Sequence, residues 1–237
     1  MQNARRIPQM VGGFLVALIL ASPVFGQQDY VGRFDAFAGF TYLNSPHVSL
    51  AEKGVHLQAG VRVIRWMSLG FDYSRSTGDL TLTPDLLVDS LAGPLNAQIA
   101  GLKALGRLPA SYALVVPVDS TTHTFAAGPQ VASHHWKLLT LFVRPSVGLI
   151  HEIAVPRPAD AFATAAVQSL APSGEKKDTV IFYGFGGGAD VNITKNFGIR
   201  IQGDFVRDHL FKDILKDSRN TVRFSIGPTV QFGGNVK

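Results

Sequence analysis

Residues 221–232 alternate without interruption between an apolar series and a polar or small series. The apolar series is Val222, Phe224, Ile226, Pro228, Val230 and Phe232, and the interleaved series is Thr221, Arg223, Ser225, Gly227, Thr229 and Gln231. Because successive side chains of a β-strand point to opposite faces, this pattern predicts a strand with one apolar and one polar face. The segment is slightly longer than the roughly 9 to 11 residues with which a tilted strand crosses a bilayer.

Seven earlier segments repeat the period of two less regularly, which gives eight predicted strands. The seven are residues 33–42, 55–64, 67–75, 122–131, 139–151, 179–192 and 197–206. An even number of strands is expected of bacterial single-chain barrels. The sequence therefore predicts an all-β fold, an eight-stranded antiparallel transmembrane β-barrel with short helices in long extracellular loops.

The connections between the predicted strands alternate in length. Residues 65–66, 133–137 and 194–196 form short connections, whereas residues 44–54, 76–121, 152–178 and 208–220 form long ones. Outer-membrane barrels have short periplasmic turns at one end and long extracellular loops at the other. Both chain ends then lie on the periplasmic side.

Side-chain volume predicts which face of each strand points inward. One face carries large apolar residues: Phe34, Leu57, Val61, Leu69, Phe71, Tyr73, Phe125, Leu141, Val143, Val147, Tyr183, Phe185, Ile199, Ile201 and Phe205. The other face carries glycines: Gly39, Gly60, Gly70, Gly128, Gly148, Gly184, Gly186, Gly188, Gly198 and Gly227. An eight-stranded barrel has a narrow interior, so the glycine-rich face is predicted to line the lumen and the bulky face to contact lipid.

The glycine-rich face also carries a nearly balanced set of charges. It consists of Arg33, Asp35, Arg62, Asp72, Arg144, Asp190, Arg200, Asp204 and Arg223. These residues are predicted to form a buried ion-pair network in the lumen. A one-residue slip of a strand would turn its charges toward lipid, at a cost of roughly 2 to 4 kcal/mol for each basic residue near the midplane.

The N-terminal segment has the pattern of a cleaved signal peptide. Arg5 and Arg6 precede an apolar stretch over residues 10–21, and small residues follow near Gly26. The apolar stretch is shorter than the roughly 20 residues of a transmembrane helix. We therefore predict export with cleavage near Gly26 and Gln27, an uncleaved anchor being the alternative. Residues 1–26 form the predicted signal peptide and residues 27–237 a single barrel domain.

Aromatic residues gather at the predicted short-turn end. They are Tyr30, Trp66, Trp136, Phe197 and Phe232. Aromatic side chains are enriched where a barrel leaves the hydrocarbon, so this set is predicted to form the periplasmic aromatic girdle. The alternative is that they are ordinary core aromatics beside turns.

The chain resembles the small outer-membrane β-barrel family, which includes the outer-membrane protein A-type transmembrane domain. The resemblance rests on the last strand, where Ser225, Gly227, Val230 and Phe232 match the polar-x-Gly-x-x-hydrophobic-x-hydrophobic pattern of the family. The penultimate hairpin, residues 185–200, is also similar. The resemblance implies that the barrel assembly machinery reads the last strand during biogenesis. Many family members stop at the terminal aromatic residue, whereas this chain continues to Lys237.

A helical insertion is predicted at about residues 80–118. Thr83 and Pro84 have the pattern of a helix start, Gly93-Pro94 is expected to break this helix, and Gly106 is a plausible end of the next one. A similar helical pattern occurs within residues 158–171. We expect these helices to pack over the barrel mouth. The alternative is an apolar surface that receives a partner, a lipid acyl chain or a small ligand.

The sequence gives little evidence for a catalytic, cofactor or metal site. The chain has no cysteine, and no histidine spacing predicts a metal site, so we predict neither cofactor, metal nor catalytic residues. His123, His151, Glu152 and Asp119 lie near the outer strand ends and are the only candidates for catalysis. The net charge of +5 is small, and no basic run accompanies a stacking platform, which argues against nucleic-acid binding.

These observations predict a monomeric integral protein of the bacterial outer membrane, surrounded by outer-membrane lipid, with a structural or surface-interaction role and a side-chain-filled lumen. The alternatives are a narrow pore, a lipid-modifying barrel enzyme and a soluble lipocalin-like binder of an apolar ligand.

Overall fold

The computed structural model describes residues 28–216 and 219–237, apart from the side chains of His47 and Arg219. The predicted signal peptide, residues 1–26, lies outside the described residues.

The described chain forms a closed barrel in which each strand pairs antiparallel with its neighbours and β8 returns to β1. The strands are β1 (Gly32–Ser45), β2 (Leu50–Ile64), β3 (Met67–Leu82), β4 (Val116–Ser133), β5 (Leu139–Pro156), β6 (Lys176–Asn192), β7 (Phe197–Asp208) and β8 (Arg219–Asn235). The prediction of an all-β, eight-stranded antiparallel barrel is confirmed.

The predicted strand ends agree with the structure at the short-turn end and fall short at the long-loop end. β2, β3, β5, β6 and β7 begin or end at the predicted residues beside the short turns. At the opposite end β3 continues to Leu82, β4 already begins at Val116, and β5 continues to Pro156. Here polar residues occupy both faces, so the alternation fades while the backbone pairing continues.

Two helices lie in the long connections: α1 (Asp89–Ala104) and α2 (Ala161–Leu170). Short 3₁₀ segments occupy Pro46–Val48 and Pro84–Leu86. The side chain of Asp160 caps α2 by accepting a hydrogen bond from the Ala163 amide at 2.8 Å. Neither helix in the described part of the chain is long and apolar enough to cross a membrane.

The predicted break at Gly93-Pro94 is wrong, because α1 runs through Pro94. Proline removes one helical hydrogen bond, but the buried side chain of Ile99 anchors the next turn to the apolar cluster beneath the helix. The predicted end at Gly106 is correct. This residue has φ +66, and the Arg107 amide donates to the Leu102 carbonyl at 2.9 Å in a Schellman arrangement.

The two faces of the strands have the predicted contents with one exception. Phe71 and Phe224 are 52% and 57% exposed on the outside, whereas Asp72 and Arg223 are 1% and 4% exposed inside. The exception is Arg33, which was predicted in the lumen and is exposed on the outside. The pairing of β1 with β8 shifts between Gly32 and Phe34, and this bulge places Arg33 and Phe34 outside together.

Some lumen glycines lie too close to the backbone of the neighbouring strand to accommodate a Cβ atom without strain. A Cβ atom on Gly227 would overlap the carbonyl oxygen of Ala38 and the Cα atom of Gly39, whereas a Cβ atom on Gly234 would meet nothing within 4 Å.

Replacing Gly227 by alanine should therefore lower the free energy of unfolding by about 1 to 3 kcal/mol through overpacking. The matched Gly234→Ala variant should change it by less than about 0.5 kcal/mol. Urea unfolding of both barrels, refolded in detergent micelles, measures the difference. Equal effects would show that β1 and β8 do not approach as closely as described.

Candidate functional site

The centre of the lumen is an ion-pair network, and Arg200 is its best-connected member. Arg200 is 1% exposed. Its Nε donates to Asp190 Oδ1 at 2.7 Å and its Nη2 to Asp190 Oδ2 at 2.9 Å, so the pair is bidentate. Its Nη1 donates to Gln58 Oε1 at 2.7 Å. Asp35 lies 4.0 Å from Arg200 and 3.9 Å from Arg62.

A second cluster lies around Arg223 on β8. Its Nη2 is 3.0 Å from Asp204 Oδ2, and its Nη1 donates to Ser74 Oγ at 3.1 Å. Asp72 lies between Arg223, at 3.7 Å, and Arg144, at 2.5 Å. The predicted network thus comes together around Arg200 and Arg223, with Arg33 outside it.

Neutral polar side chains join the two clusters. Gln58 donates to Gln202 Oε1 at 2.8 Å, and Gln202 donates to both oxygens of Asp204 at 2.8 and 2.9 Å. His56 bonds to Ser225 Oγ at 2.8 Å through Nδ1. These three residues were not predicted as members of the network, although each lies on the lumen face by its position in the alternation.

Aromatic rings fill the remaining space of the lumen. The guanidinium carbon of Arg200 lies 4.6 Å from the Phe142 ring centre and 5.8 Å from that of Phe37. A Cβ atom on Gly188 would lie 2.8 Å from the Phe142 ring. Lumen glycines therefore provide the space that the inward-facing rings occupy.

The short-turn end of the lumen is covered by polar contacts. The side-chain amide of Gln28 donates to Trp136 O at 3.1 Å and to Thr140 Oγ1 at 2.8 Å. The backbone N–H of Gln28 donates to His134 O at 3.3 Å. Arg62 donates to Gly32 O at 2.5 Å, and Arg65 donates to Gln28 O.

The residues of the predicted girdle all lie at this end, although they differ in exposure. Trp66 is 54% exposed, Phe232 and Phe197 are also exposed, and Tyr30 and Trp136 are half-buried. The Tyr30 hydroxyl donates to Gly233 O at 2.8 Å.

The four residues of the proposed assembly signal divide between the two faces of β8. Ser225 is buried in the lumen and donates to Thr41 Oγ1 at 3.0 Å, and Gly227 also faces inward. Val230 and Phe232 face outward, where Phe232 stacks on Phe34 with ring centres 5.6 Å apart.

The candidate catalytic residues do not form one site. His123 and His151 face outward as a cross-strand pair with ring centres 6.4 Å apart. Glu152 is 0% exposed and points into the lumen, where its Oε1 accepts a hydrogen bond from Ser120 at 3.0 Å. Asp119 lies on the outside and pairs with Arg157. The barrel wall therefore separates Glu152 from both histidines.

The long-loop half of the lumen contains a second group of buried acids. Glu52, Glu152 and Asp208 are each 0% exposed. Thr122 donates to Glu52 Oε1 at 2.9 Å, and Asp208 Oδ1 accepts a hydrogen bond from the Leu210 amide at 3.1 Å. Above this layer, toward the helices, the lumen face becomes apolar at Leu80, Val116 and Val118. Among the described residues, no three His, Asp or Glu side chains are placed to hold a metal ion.

The site is thus the interior of a closed barrel with three successive layers: an ion-pair layer, a hydroxyl and carboxylate layer, and an apolar layer beneath the helices. No protein-family model matches the chain, and no curated protein matches it.

Several solved structures share the barrel architecture. Neisserial surface protein A is 12% identical, with coverage of 84% of this chain and 96% of its own and a TM-score of 0.49. Ail, the attachment invasion locus protein of Yersinia pestis, is 11% identical, with coverage of 85% and 99% and a TM-score of 0.48. OprG, an outer membrane protein from Pseudomonas aeruginosa, is 8% identical, with coverage of 88% and 100% and a TM-score of 0.48. These likenesses concern the fold alone.

Replacing Arg200 by leucine should lower the free energy of unfolding by about 3 to 5 kcal/mol, because Asp190 loses its bidentate partner in a buried site. The double variant Arg200→Leu, Asp190→Leu should recover part of this loss. The control Arg157→Gln breaks an exposed ion pair, with side chains 69% and 42% exposed, and should cost less than about 1 kcal/mol. Urea unfolding of the four proteins provides the comparison. A loss at Arg157 as large as that at Arg200 would contradict this assignment.

Acid should weaken the barrel through His134, which lies in a short turn. Burial, assisted by the positive charges of Arg62 and Arg65, lowers the pKa of His134 to about 4. The unfolded chain, with a histidine pKa of about 6.5, takes up the proton first as the pH falls. The contribution of His134 to the free energy of unfolding should therefore be fully present above about pH 6.5 and should be lost as the pH falls toward 4.

We expect this histidine to lower the free energy of unfolding by about 2 kcal/mol between pH 7.5 and pH 5. Urea unfolding at each pH should show a shallower decline for His134→Asn than for the unmodified protein. The exposed neighbour serves as the control, since His135→Asn should leave the slope unchanged. Identical slopes for all three proteins would contradict the role of His134.

Proposed function

We propose that this protein is an integral barrel of the bacterial outer membrane, exported through a cleaved signal peptide, with a structural or surface-interaction role. The barrel crosses the membrane as a monomer. Its lumen is filled by side chains, and its extracellular loops provide whatever recognition it performs.

The observation that carries this proposal is the apolar outer surface of the barrel. Every strand presents large apolar residues outward, among them Phe71, Phe125, Ile201 and Phe224, while charged residues at neighbouring positions are buried inside. Soluble monomers rarely expose such a continuous apolar surface. A closed barrel also satisfies all backbone groups between strands, as a structure in lipid must.

The two ends of the barrel support an orientation. The aromatic girdle and the short turns lie at one end, which faces the periplasm. The helices and the long connections lie at the other end and face outward from the cell. In this orientation the last strand, with Ser225, Gly227, Val230 and Phe232, is available to the barrel assembly machinery during biogenesis.

The interior favours a structural role over transport or catalysis. Arg200, Arg223 and the aromatic rings around them occupy the lumen, which supports a filled barrel rather than a narrow pore. The opposite orientations of His151 and Glu152 favour an interaction role over lipid-modifying catalysis. The apolar outer surface, in turn, favours an integral barrel over a soluble lipocalin-like binder.

Cysteine labelling tests the membrane proposal directly, because the chain has no native cysteine. Single variants Phe71→Cys and Phe224→Cys should react with a maleimide carried on a lipid chain within the bilayer. The matched lumen variants Ser74→Cys and Ser225→Cys, at inward-facing positions of the same two strands, should not react. Extraction with alkaline carbonate should leave the protein in the membrane fraction, and planar bilayers should show no steady ion conduction.

Two results would overturn parts of the proposal. Release of the protein by carbonate would exclude an integral barrel. Steady conduction with an unaltered labelling pattern would retain the membrane barrel and replace the filled lumen by a pore.

A further inference from the structure

Four basic side chains lie together on the outer surface of the barrel, toward its long-loop end. Arg75 of β3 lies directly opposite His123 of β4, and His123 lies directly opposite His151 of β5. Lys53 of β2 is the diagonal neighbour of Arg75, since it pairs with Thr77, which follows Arg75 on the same face of β3. Long side chains reach one another across such diagonals. Lys53, Arg75, His123 and His151 thus form one continuous basic row.

The basic row lies where the apolar part of the barrel wall ends. Trp66 lies at the short-turn end beside the start of β3, and the roughly 9 to 11 residues with which a tilted strand crosses a bilayer bring the chain from there to about Arg75. Tyr73 precedes Arg75 on the outward face, and its hydroxyl is 2.9 Å from His123 Nδ1. A tyrosine with an apolar body and a polar end is typical of a membrane interface. In the proposed orientation the basic row is therefore at the level of the outer headgroups.

An apolar row lies directly beneath the basic row, one step nearer the short turns. Tyr73 pairs with Phe125, Phe125 with Leu149, and Leu149 with Ile181. The side chains of Phe125, Leu149 and Ile181 are 42%, 47% and 72% exposed on the outside. The acyl chains of a lipid whose headgroup lies at the basic row would cover this apolar surface.

Two threonines lie beside the basic row on its long-loop side. Thr77 is directly opposite Lys53 on β2 and Thr121 on β4, so that Thr77 and Thr121 share the outward face with Lys53 and Arg75. Guanidinium and ammonium groups only donate hydrogen bonds, and a hydroxyl can donate one. A phosphate group accepts through several oxygens, and its hydrogen bonds to arginine and lysine are charge-assisted. This set of donors therefore matches a phosphate group.

The two long cations of the basic row are available to a ligand. Both Lys53 and Arg75 are exposed, and neither forms an ion pair with any residue that the structure describes, the exposed Asp79 beyond Thr77 included. Other basic residues at this end of the barrel do have acidic partners: Arg157 pairs with Asp119, Lys176 with Asp213 and Lys177 with Glu175. Two positive charges without an acidic partner in the described chain thus lie at the level of the lipid phosphates.

We propose that the basic row binds the phosphate group of an anionic lipid in the outer leaflet, and that the acyl chains of this lipid lie on the apolar row beneath. The inference rests on the proposed membrane orientation and goes beyond it, since it names the class of lipid and the residues that hold it. A phosphate monoester carries about −1.5 to −2 charges at neutral pH, so it gains more from Lys53 and Arg75 than a zwitterionic headgroup does. A free phosphate ion would gain no apolar contacts, which favours the lipid.

The test uses the full barrel in phosphatidylcholine nanodiscs, in which lipid A replaces a growing fraction of the lipid. Lipid A carries phosphate monoesters, and its phosphate-free form is the matched probe with the same acyl chains. Methyl NMR of Thr77 and Thr121 reports occupancy of the site. Both signals should shift and saturate at a lower fraction of lipid A than of the phosphate-free form, and millimolar inorganic phosphate should leave them unchanged.

Exposed variants, all of which keep both threonine signals, locate the site. Lys53→Gln and Arg75→Gln should each raise the half-saturating fraction of lipid A about fivefold, because a basic residue near an anionic surface contributes about that factor to binding. Arg75→Lys keeps the charge and should raise this fraction less. Arg33→Gln is the matched control, since it removes an exposed arginine from the outer surface at the opposite end of the barrel and should leave the titration unchanged.

Each contrary outcome has a distinct meaning. Equal saturation by the two lipids would overturn the proposal in favour of unselective lipid contact, and saturation by inorganic phosphate would overturn it in favour of a site for free anions. An effect of Arg33→Gln as large as that of Arg75→Gln would assign the attraction to net charge. Absence of lipid labelling at Phe71→Cys and Phe224→Cys would overturn the membrane barrel itself, whereas normal labelling with unchanged Thr77 and Thr121 signals would overturn this inference alone.

Discussion

The bidentate pair between Arg200 on β7 and Asp190 on β6 is the contact on which the register of the barrel depends. Both side chains are buried, and both reach their partners only if their strands keep the described pairing, in which Asp190 lies opposite Arg200. A slip by one residue would expose these charges to the apolar exterior and bring phenylalanines into a lumen built around glycines. Charge and volume therefore specify the same register.

The two halves of the lumen differ in the side chains that fill them. Near the short turns, arginines and aspartates balance each other and the space is filled. Toward the long loops, the buried acids Glu52 and Glu152 accept hydrogen bonds from Thr122 and Ser120. Apolar side chains follow, and a cavity lies beneath α2. The ion pairs thus lie at one end of the lumen, and an apolar cavity lies at the other.

Much of the fold was predictable because lipid and a narrow lumen impose opposite demands on alternate residues. Glycine and charge on one face, with large apolar residues on the other, gave all eight strands and nearly all of the ion-pair layer. Arg33 was misplaced because a bulge at Gly32 breaks the alternation without altering the composition. Glu152 was grouped with His123 and His151 because it follows His151 in the sequence, but successive strand residues point to opposite faces, and Glu152 lies inside the lumen. Likewise, Gly93-Pro94 suggested a break that packing around Ile99 overrides.

The barrel wall is of unequal height at its outer end. β3, β4 and β5 continue their pairing to Leu82, Val116 and Pro156, whereas the pairing of β6 with β7 stops at Tyr183 and Arg207. The low side is closed by residues 210–216. The Val88 amide donates to Ile214 O at 2.8 Å, and the Lys216 amide donates to Leu86 O at 2.9 Å. The rim is consequently oblique. Its closure depends on contacts between loops, while the integrity of the cylinder depends on the sheet, so sequence changes at the rim can alter access while every strand stays in register.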